Sequence, residues 1–370
     1  MERRLKKYPE TKKPLKIAQV SPLWFPVPPK GYGGTELVVS KLTENLIKRG
    51  HRVTLFASGN SKTKGKLISV VEKDLRSLGI PYLHDSYNIL NLIEAFSRAK
   101  EFDILHTHID VHDPIFRAKS PVPTIATLHN PFWPKTEKRG GEWYAYFGRV
   151  LLYNRFPGLP YIAISNSYKK QCPAMIKFVK TIYHGVDAKS LKFNPKGGDY
   201  FVWLGRFSPN KGIHIAIEIA KRFGLKLLIG GKAVSPEDEK YFSQKVKPFL
   251  TRKIQFVGEI KTDAEKSDFL GSAIAFLYPL QWEEPFGITM IEAMACGTPI
   301  IAFNRGSVPE IVKDKKTGFV VNSEKEMIEA IKKISNIDRR ECRKFFERKF
   351  TVEKMTDAYE EVYYSLLKNR

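Results

Sequence analysis

Cysteine is scarce in this chain, and long apolar runs are absent. Its three cysteines, Cys172, Cys296 and Cys342, lack the spacing of a metal site or a disulfide framework, so we expect reduced thiols in a cytosolic setting. No apolar run reaches about 18 residues, and the sequence therefore predicts no membrane-spanning helix. The N-terminal MERRLKKYPETKKPLK is basic but has no apolar segment behind it, so we do not expect a signal peptide.

Acidic residues are also few relative to basic ones. The 370 residues include 39 Asp and Glu against 62 Lys and Arg, a formal net charge of +23. Such a field attracts polyanions, whether nucleic acid, anionic lipid or a diphosphate, and the charge alone does not choose among them. A lysine-rich solvated surface is the simpler alternative. The length predicts two domains, and a hydrophobic content of 42% is enough for their cores.

Short apolar runs alternate with amphipathic helical patterns along the chain. In the first half, the pattern predicts strands at 15–23, 52–58, 103–108, 123–129 and 161–166. It predicts helices at 35–50, 86–99, 142–153 and 167–178. This alternation of strand and helix is typical of a parallel sheet that is covered by helices on both faces.

A second series of the same kind follows a stretch rich in Gly, Pro and Lys at 183–200. Its predicted strands lie at 200–207, 225–231, 254–260, 274–280, 299–303 and 318–322. The sequence thus predicts an α/β protein with two doubly wound, Rossmann-like domains, 1–190 and 191–350. A helix at 351–370 is expected to pack back towards the first domain. Ligands of such sheets bind at the carboxyl ends of the strands, so we expect the site in a cleft between the domains.

The segment EPFGITMIEAMACGTPIIAF places two glutamates around a predicted helix start near Phe286. On one continuous helix, Glu284 and Glu292 would be about 12 Å apart, which is farther than the about 5–9.5 Å of hydrolytic carboxylate pairs. The free backbone N–H groups of Phe286, Gly287 and Ile288 could instead hold an anion between the two carboxylates. In the alternative interpretation, Glu292 is an ordinary residue of a solvated helix face.

Two further loops fit an anionic ligand. In GRFSPNKG, Arg206 follows a strand and Lys211 begins a helix that Asn210 can cap, an arrangement suited to a diphosphate. In GYGGTE, Gly33 and Gly34 allow a ligand to approach the backbone at a helix start, although the full dinucleotide-binding spacing is missing. Plain surface charge and a simple turn are the respective alternatives.

The segment HTHIDVHD at 106–113 has the residue types of a metal site, but no second cluster completes a ligand set. We therefore expect its histidines to line the cleft at the ends of strands rather than to bind a metal. His129, which also ends a predicted strand, should face the same cleft. The residues of the segment that could bind a metal are His106, His108, Asp110, His112 and Asp113.

The segment 130–156 mixes aromatic and basic side chains. Such mixing suits an acceptor groove, a membrane interface or a nucleic-acid surface, while a helix with core aromatics explains it equally well. Its aromatic and basic residues include Trp133, Trp143, Tyr144, Tyr146, Lys135, Lys138, Arg139 and Arg149.

Together these segments resemble the family 4 glycosyltransferases, which are retaining enzymes with the two-domain GT-B fold. The resemblance covers nearly the whole chain. It is most specific in LGRFSPNKG and EPFGITMIEAMACGTPIIAF, with YGGTELVVSKLTENLIKRGHRVTLFASG, FPGLPYIAISNS and YHGVD in family order. Within the family, the chain is most similar to glucosyltransferases of the avilamycin-biosynthesis type. It departs from the common pattern at His184, where Asn is usual.

The resemblance implies a role for each candidate residue. Glu284 matches the glutamate that contacts the transferred sugar, and Glu292 matches the one that holds the nucleotide ribose. His129 matches a cleft histidine near the reacting sugar. The remaining matches concern the phosphates: Arg206 and Lys211 are expected to stabilise the leaving diphosphate, and Gly33 and Gly34 to lie in the loop beside it.

The expected function is hexosyl transfer from a nucleoside-diphosphate sugar, with UDP-glucose favoured, to an unidentified hydroxyl acceptor. The resemblance implies no cofactor and no bound metal. It leaves open a lipid-linked or membrane-proximal acceptor, and with it peripheral membrane contact by a cytoplasmic enzyme. A GT-B sugar phosphorylase or epimerase is the near alternative. A basic nucleic-acid-binding protein is an alternative of another class, but no recognition module supports it and we expect no nucleic-acid partner.

Overall fold

The chain forms two parallel β-sheets, each covered by helices. The computed structural model describes residues 13–80, 85–132 and 141–368, and for 141–146 it describes the backbone alone. The first sheet contains β1 (Lys16–Val20), β2 (Arg52–Phe56), β3 (Lys66–Ile68), β4 (Ile104–Thr107), β5 (Thr124–Leu128), β6 (Pro160–Ala163) and β7 (Lys177–Thr181). The second contains β8 (Tyr200–Arg206), β9 (Leu227–Lys232), β10 (Ile254–Gly258), β11 (Ala273–Tyr278), β12 (Ile300–Phe303) and β13 (Gly318–Val321).

Both sheets share one strand order over six strands, and the first sheet adds β7 at its edge. It runs β3-β2-β1-β4-β5-β6-β7 in the first sheet and β10-β9-β8-β11-β12-β13 in the second, with every pair of neighbours parallel. The order reverses between β1 and β4 and again between β8 and β11, and ligands bind beside such reversals. The α/β class with two doubly wound domains is confirmed.

The helices have clear local causes. In α6 the buried residues Ile213, Ala216, Ile217 and Ala220 recur at helical spacing, and Gly224 ends the helix in the left-handed conformation. The helices of the first half are α1 (Gly34–Lys48), α2 (Ser86–Ser97), α3 (Asp113–Arg117), α4 (Gly141–Arg155) and α5 (Asn166–Gln171). Those of the second half are α6 (Ile213–Phe223), α7 (Pro236–Lys245), α8 (Asp263–Gly271), α9 (Ile288–Ala295), α10 (Val308–Ile311), α11 (Glu324–Lys332), α12 (Arg339–Lys349) and α13 (Val352–Lys368).

One predicted helix is wrong. The segment 167–178 was expected to be helical throughout, but α5 ends at Gln171 and the chain then forms the edge strand β7. Pro173 cannot continue a helix, and the half-exposed KFVKT suits an edge strand with one solvated face. The sequence also gave no sign of β3, which is only three residues long.

The C-terminal helix α13 packs on the first domain. Its buried residues Val352, Met355 and Tyr359 share one apolar cluster with Ile17 of β1 and Leu42 of α1. The chain therefore passes from the first sheet to the second between Thr181 and Tyr200 and returns at its end. This return places tyrosines of α13 directly beneath β1 and β4, next to the histidines that follow.

Candidate active site

A cavity of about 380 Å³ lies between the two domains, where the carboxyl ends of both sheets meet. The first domain contributes the loop after β1 and the ends of β5 and β7, and the second contributes the loops after β8 and β11. All ten predicted site residues line this cavity: Gly33, Gly34, His129, Arg206, Lys211, Glu284, Phe286, Gly287, Ile288 and Glu292. The structure thus brings together groups that are scattered over 260 positions of sequence.

Glu284 is held by three donors. Lys211 Nζ lies 2.5 Å from its Oε2, and the same oxygen accepts from Tyr278 at 3.1 Å and from the indole N–H of Trp282 at 2.9 Å. The carboxylate is only 6% exposed, and the ammonium of Lys211 also lies 4.5 Å from the centre of the Trp282 ring. Burial, with the nearby Glu284 carboxylate, raises the pKa of Tyr278 well above its ordinary value, so this phenol remains a donor.

Glu292 is paired in a similar way with Lys266, which the sequence did not single out. Lys266 Nζ, on α8, lies 2.5 Å from Oε1 of Glu292, whose side chain is buried, while that of Lys266 is largely buried. Burial acts against the charge of Lys266, but the Glu292 carboxylate outweighs it, and the pKa of the ammonium is raised. Glu292 is therefore not a residue of a solvated helix face, and that alternative is wrong.

The helix after Glu284 begins two residues later than expected. Phe286 precedes α9, and Gly287 is its N-cap in the left-handed conformation with φ 79°. This left-handed conformation favours glycine at the entry into the helix, because a residue with a Cβ would be strained there. Ile288 is then the first helical residue, and the free N–H groups at this end face the cavity between the two Lys–Glu pairs.

Arg206 and Lys211 flank the second-domain side of the cavity, but the predicted cap between them is wrong. Lys211 ends a 3₁₀ turn, and α6 begins at Ile213 behind Gly212, which has φ 71°. Asn210 accepts from the Ser208 hydroxyl instead of capping the helix. A Cβ on Gly212 would lie 1.8 Å from the carbonyl oxygen of Pro279, and this close approach is why the left-handed glycine is the cap.

Arg206, at the end of β8, is already oriented by a carboxylate. Its Nε donates to Asp238 Oδ2 at 2.7 Å, and Asp238 is buried near the start of α7. The guanidinium itself is about one-third exposed towards the cavity. Tyr32 also lies within hydrogen-bonding range of the Arg206 side chain. An arginine that is oriented in this way and partly exposed to the cavity can bind a phosphate oxygen without first losing much side-chain freedom.

The glycine loop of the first domain reaches the second domain. The N–H of Tyr32 donates to Glu259 at 3.3 Å, and Gly33, with φ 147°, is the N-cap of α1. A Cβ on Gly34 would lie 3.7 Å from Ile288 of α9. The starts of α1 and α9 therefore approach each other across the cavity, where both can face one anion.

The first two histidines of HTHIDVHD form hydrogen bonds with other side chains of the protein. His106 bonds Thr127 at 2.8 Å through Nε2 and Tyr363 at 2.7 Å through Nδ1. His108 bonds His129 at 2.9 Å through Nδ1. Burial lowers the pKa of all three imidazoles, that of His129 to about 3, so they are neutral at physiological pH.

The acidic residues of the same segment also have partners. Asp110 accepts from the backbone N–H of Asn130 at 2.6 Å, and Asp113 accepts from Arg117 at 3.1 Å. His112 lies 3.4 Å from Asp85. Within the described parts of the chain, no three His, Cys, Asp or Glu side chains converge in a way that could hold a metal ion.

A second cavity of about 180 Å³ adjoins the first on the first-domain side. The two share Tyr32, Gly33, Gly34, Thr35 and Asn130, and the second is also lined by Trp24, Phe25, Glu36, Asp85 and Asn88. Glu36 is 4% exposed, and burial raises its pKa to about 8. Neither Trp24 nor Glu36 was singled out from sequence, although Glu36 stands inside the GYGGTE segment.

Much of the aromatic–basic segment lies outside the described residues. Trp133, Lys135, Lys138 and Arg139 are in 133–140, and the side chains of Trp143, Tyr144 and Tyr146 are not described either. Arg149 is described and is buried: its guanidinium lies 3.6 Å from the centre of the Phe132 ring and donates to Pro131 O. The choice between a groove or interface and a helix with core aromatics therefore stays a prediction. In the parts of the chain that the structure covers, no helix has the length and apolar character needed to cross a membrane.

Comparison with protein-family models divides the chain in two. Residues 32–190 match the model described as Glycosyltransferase Family 4, and residues 188–349 match the model described as Glycosyl transferases group 1. Among curated proteins, a phosphatidyl-myo-inositol mannosyltransferase of Mycobacterium leprae is 26% identical over 332 residues, which cover 83% of each chain.

Two solved structures share the fold over almost the whole chain. A glycosyltransferase involved in avilamycin A biosynthesis superposes with a TM-score of 0.68 at 22% identity, covering 96% of this chain and 99% of the other. The Anabaena protein Alr3699/HepE, solved in complex with UDP-glucose, superposes with a TM-score of 0.73 at 20% identity, covering 95% and 100%. At these identities the likeness establishes the two-domain GT-B architecture.

Proposed function

The chain belongs to the family 4 glycosyltransferases, and from that premise we propose that it is a retaining hexosyltransferase that uses a UDP-sugar, with glucose favoured. The observation that carries the proposal is the arrangement around the start of α9. Two buried Lys–Glu pairs, Lys211–Glu284 and Lys266–Glu292, stand at either end of free helix N–H groups. This arrangement suits a ligand with a diphosphate between two hydroxylated rings.

The proposed donor lies with its diphosphate at the centre of the cavity. Glu292 would accept from the ribose hydroxyls, since a carboxylate is an acceptor for a diol. Arg206, Lys211 and the N–H groups at Ile288 would contact the diphosphate, and Glu284 would contact the transferred sugar. The UDP-glucose bound by the Anabaena neighbour supports this choice of donor. The mannosyltransferase relative supports a mannosyl donor as the nearest competitor.

The proposed reaction breaks the bond between the anomeric carbon and the phosphate oxygen, and the electron pair leaves with the diphosphate. The acceptor oxygen attacks the face from which the phosphate departs, and its proton passes to the departing phosphate oxygen. Configuration is therefore retained without a protein nucleophile. Arg206 and Lys211 stabilise the charge that accumulates on the leaving group, which is where preorganised cations lower the barrier most.

The acceptor would enter from the second cavity, which adjoins the first along Tyr32 to Thr35. Its aromatic side chains, Trp24 and Phe25, and its acceptor groups, such as Asn88, suit a hydroxylated molecule. A lipid-linked or membrane-proximal acceptor, met by peripheral contact of a cytoplasmic enzyme, remains part of the proposal. Acceptance of a lipid is consistent with the phosphatidyl-myo-inositol for which the mannosyltransferase relative is named.

A thermal-shift screen of UDP, GDP and their glucose and mannose conjugates tests the proposal. A true ligand at 100 times its dissociation constant should stabilise the protein by about 2.7 kcal/mol. We expect UDP and UDP-glucose to do so. Slow hydrolysis of UDP-glucose with release of UDP would separate an enzyme that acts on the donor from a nucleic-acid-binding protein. Stabilisation by single-stranded nucleic acid alone would contradict the proposal.

A further inference from the structure

A continuous hydrogen-bonded chain leads from the C-terminal helix to the cavity. Tyr363 of α13 bonds Gln19 Nε2 at 3.0 Å, and Gln19 Oε1 lies 2.8 Å from His108 Nε2. His108 Nδ1 then lies 2.9 Å from Nε2 of His129, which lines the cavity. All four side chains are at least nine-tenths buried, so water does not compete for these bonds.

The chain has a direction, because each imidazole is neutral and carries one hydrogen. An amide oxygen only accepts, so Nε2 of His108 must carry its hydrogen and donate to Gln19. Nδ1 of His108 is then an acceptor, and the hydrogen shared with His129 belongs to Nε2 of His129. Nδ1 of His129 is left without a hydrogen. Burial lowers the pKa of both rings, which keeps each in its neutral form.

Tyr363 meets the amide nitrogen of Gln19, and the amide oxygen then faces His108. The amide N–H donates to the Tyr363 hydroxyl, and that hydroxyl lies 2.7 Å from Nδ1 of His106. His106 is satisfied at its other nitrogen, where Nε2 bonds Thr127 at 2.8 Å. If the amide turned over, the donors along the chain would have to reverse with it, because each neutral imidazole and each hydroxyl has only one hydrogen to donate.

We propose that Gln19, His108 and Tyr363 are positioning residues that hold His129 as the Nε2–H tautomer, so that the cavity meets an unprotonated Nδ1. Towards a bound substrate, His129 is then an acceptor only, and it selects a group that donates, such as a sugar hydroxyl. The tautomer follows from the protein alone, whereas its use in catalysis rests on the proposed hexosyl transfer.

The tautomer can be observed without any substrate. Two-bond ¹H–¹⁵N correlation spectra of the full-length protein with ¹⁵N-labelled histidine distinguish the two neutral forms, and single His→Asn variants assign the signals. We expect His108 and His129 both to show Nε2–H with an unprotonated Nδ1. A protonated Nδ1 at His129 would mean that the amide faces the other way, and the proposal would be overturned.

Two tyrosine variants test the role of Tyr363. Tyr363→Phe removes the group that orients Gln19, and we expect the His129 signal to split between the two tautomers. Tyr364→Phe is the matched control, because it removes a hydroxyl from the same helix that donates to the backbone carbonyl of Lys13 instead, at 2.8 Å. It should leave the His129 tautomer unchanged. Identical spectra for the two variants would overturn the positioning role.

Kinetics of the same variants separates this proposal from the proposed function. With UDP-glucose as the probe, Tyr363→Phe should lower kcat by about 5-fold, the equivalent of one ordinary hydrogen bond, and change the affinity for UDP little. Loss of the tautomer without a change in kcat would show that His129 does not act on the transferred sugar. Absence of any turnover by the wild-type protein would count against the donor and would leave the tautomer result standing.

Discussion

Lys211 Nζ lies 2.5 Å from Oε2 of Glu284, although 73 positions separate the two residues in sequence. Both were expected to meet the donor, Lys211 at the diphosphate and Glu284 at the sugar. Their contact means that the cation which would receive the leaving group is held in place by the carboxylate that would contact the sugar. Two functional groups that orient each other in this way lose little freedom when a ligand binds.

Lys211→Ala should lower kcat by about 100-fold or more and weaken UDP binding much less, because negative charge on the diphosphate grows as the sugar bond breaks. Steady-state rates and UDP calorimetry measure the two effects. Lys266→Ala is the matched control, since it breaks the other short Lys–Glu pair and should affect mainly binding. A raised KM with an unchanged kcat for Lys211→Ala would show that Lys211 binds without helping the chemistry.

Variants of the two glutamates should differ in the same measurements, one in UDP affinity and the other in kcat. Glu292→Ala should weaken UDP binding by roughly 10- to 150-fold, because hydrogen bonds to a charged group contribute about 1.5–3 kcal/mol and the ribose does not change during the reaction. Glu284→Ala should leave UDP affinity nearly intact and depress kcat. The opposite pattern would reverse the assignment, and two variants that behave like the wild type would remove both residues from the site.

Transfer should survive EDTA. The cavity already presents Arg206 and Lys211 on its second-domain side, and these cations can take the role that a divalent ion has in other phosphate chemistry. The measurement is UDP release in the presence of excess chelator, with magnesium and manganese added back in parallel. Loss of activity that one divalent ion restores would contradict this prediction.

The buried histidines should make the fold labile in acid. Burial lowers the pKa of His106, His108, His129 and His184, so below about pH 6.5 the unfolded chain binds protons that the folded chain does not. The free energy of unfolding should therefore fall as the pH falls, by up to about 1.4 kcal/mol per pH unit for each imidazole. His184→Asn removes one of these titrating groups. Its free energy of unfolding, measured by urea titration between pH 7 and 4.5, should therefore change less with pH than that of the wild-type protein, by up to that amount per pH unit. Equal slopes would show that His184 titrates normally.

Glu36 should produce the opposite pH dependence. With its pKa raised to about 8, the folded chain keeps a proton that the unfolded chain releases near pH 4.5. The wild-type protein should thus lose stability relative to Glu36→Gln as the pH rises from about 4.5 to 8, by up to about 1.4 kcal/mol per pH unit, and the difference should level off above pH 8. Denaturation of both proteins at pH 5, 6.5 and 8.5 measures this difference, and a constant gap would contradict it.

Where prediction from sequence failed, the cause was a local signal that a neighbouring feature overrode. The helical pattern at 167–178 correctly predicted α5, but Pro173 prevents the helix from continuing. The residues that follow it form β7, the edge strand of the first sheet. The side chain of Asn210 has the chemistry of a cap, yet Gly212 is the cap because the chain passes too close to Pro279 for any side chain. Pro173 stands inside the predicted helix and was a visible signal for its end, whereas the approach to Pro279 is not visible in the residues of the element itself.

The sequence by itself determined the two series of strands and helices, because the periodicity of apolar residues is a local property that each element carries. It also determined which segments end at the ligand-binding edges of the sheets, and all ten predicted site residues lie there. Only the tertiary structure decided the partners of these residues. Lys266 meets Glu292 across 26 positions, and Tyr363 meets Gln19 across 344. The partner of a charge or a hydroxyl is set by how elements that are distant in sequence pack together, and a local sequence pattern does not contain that information.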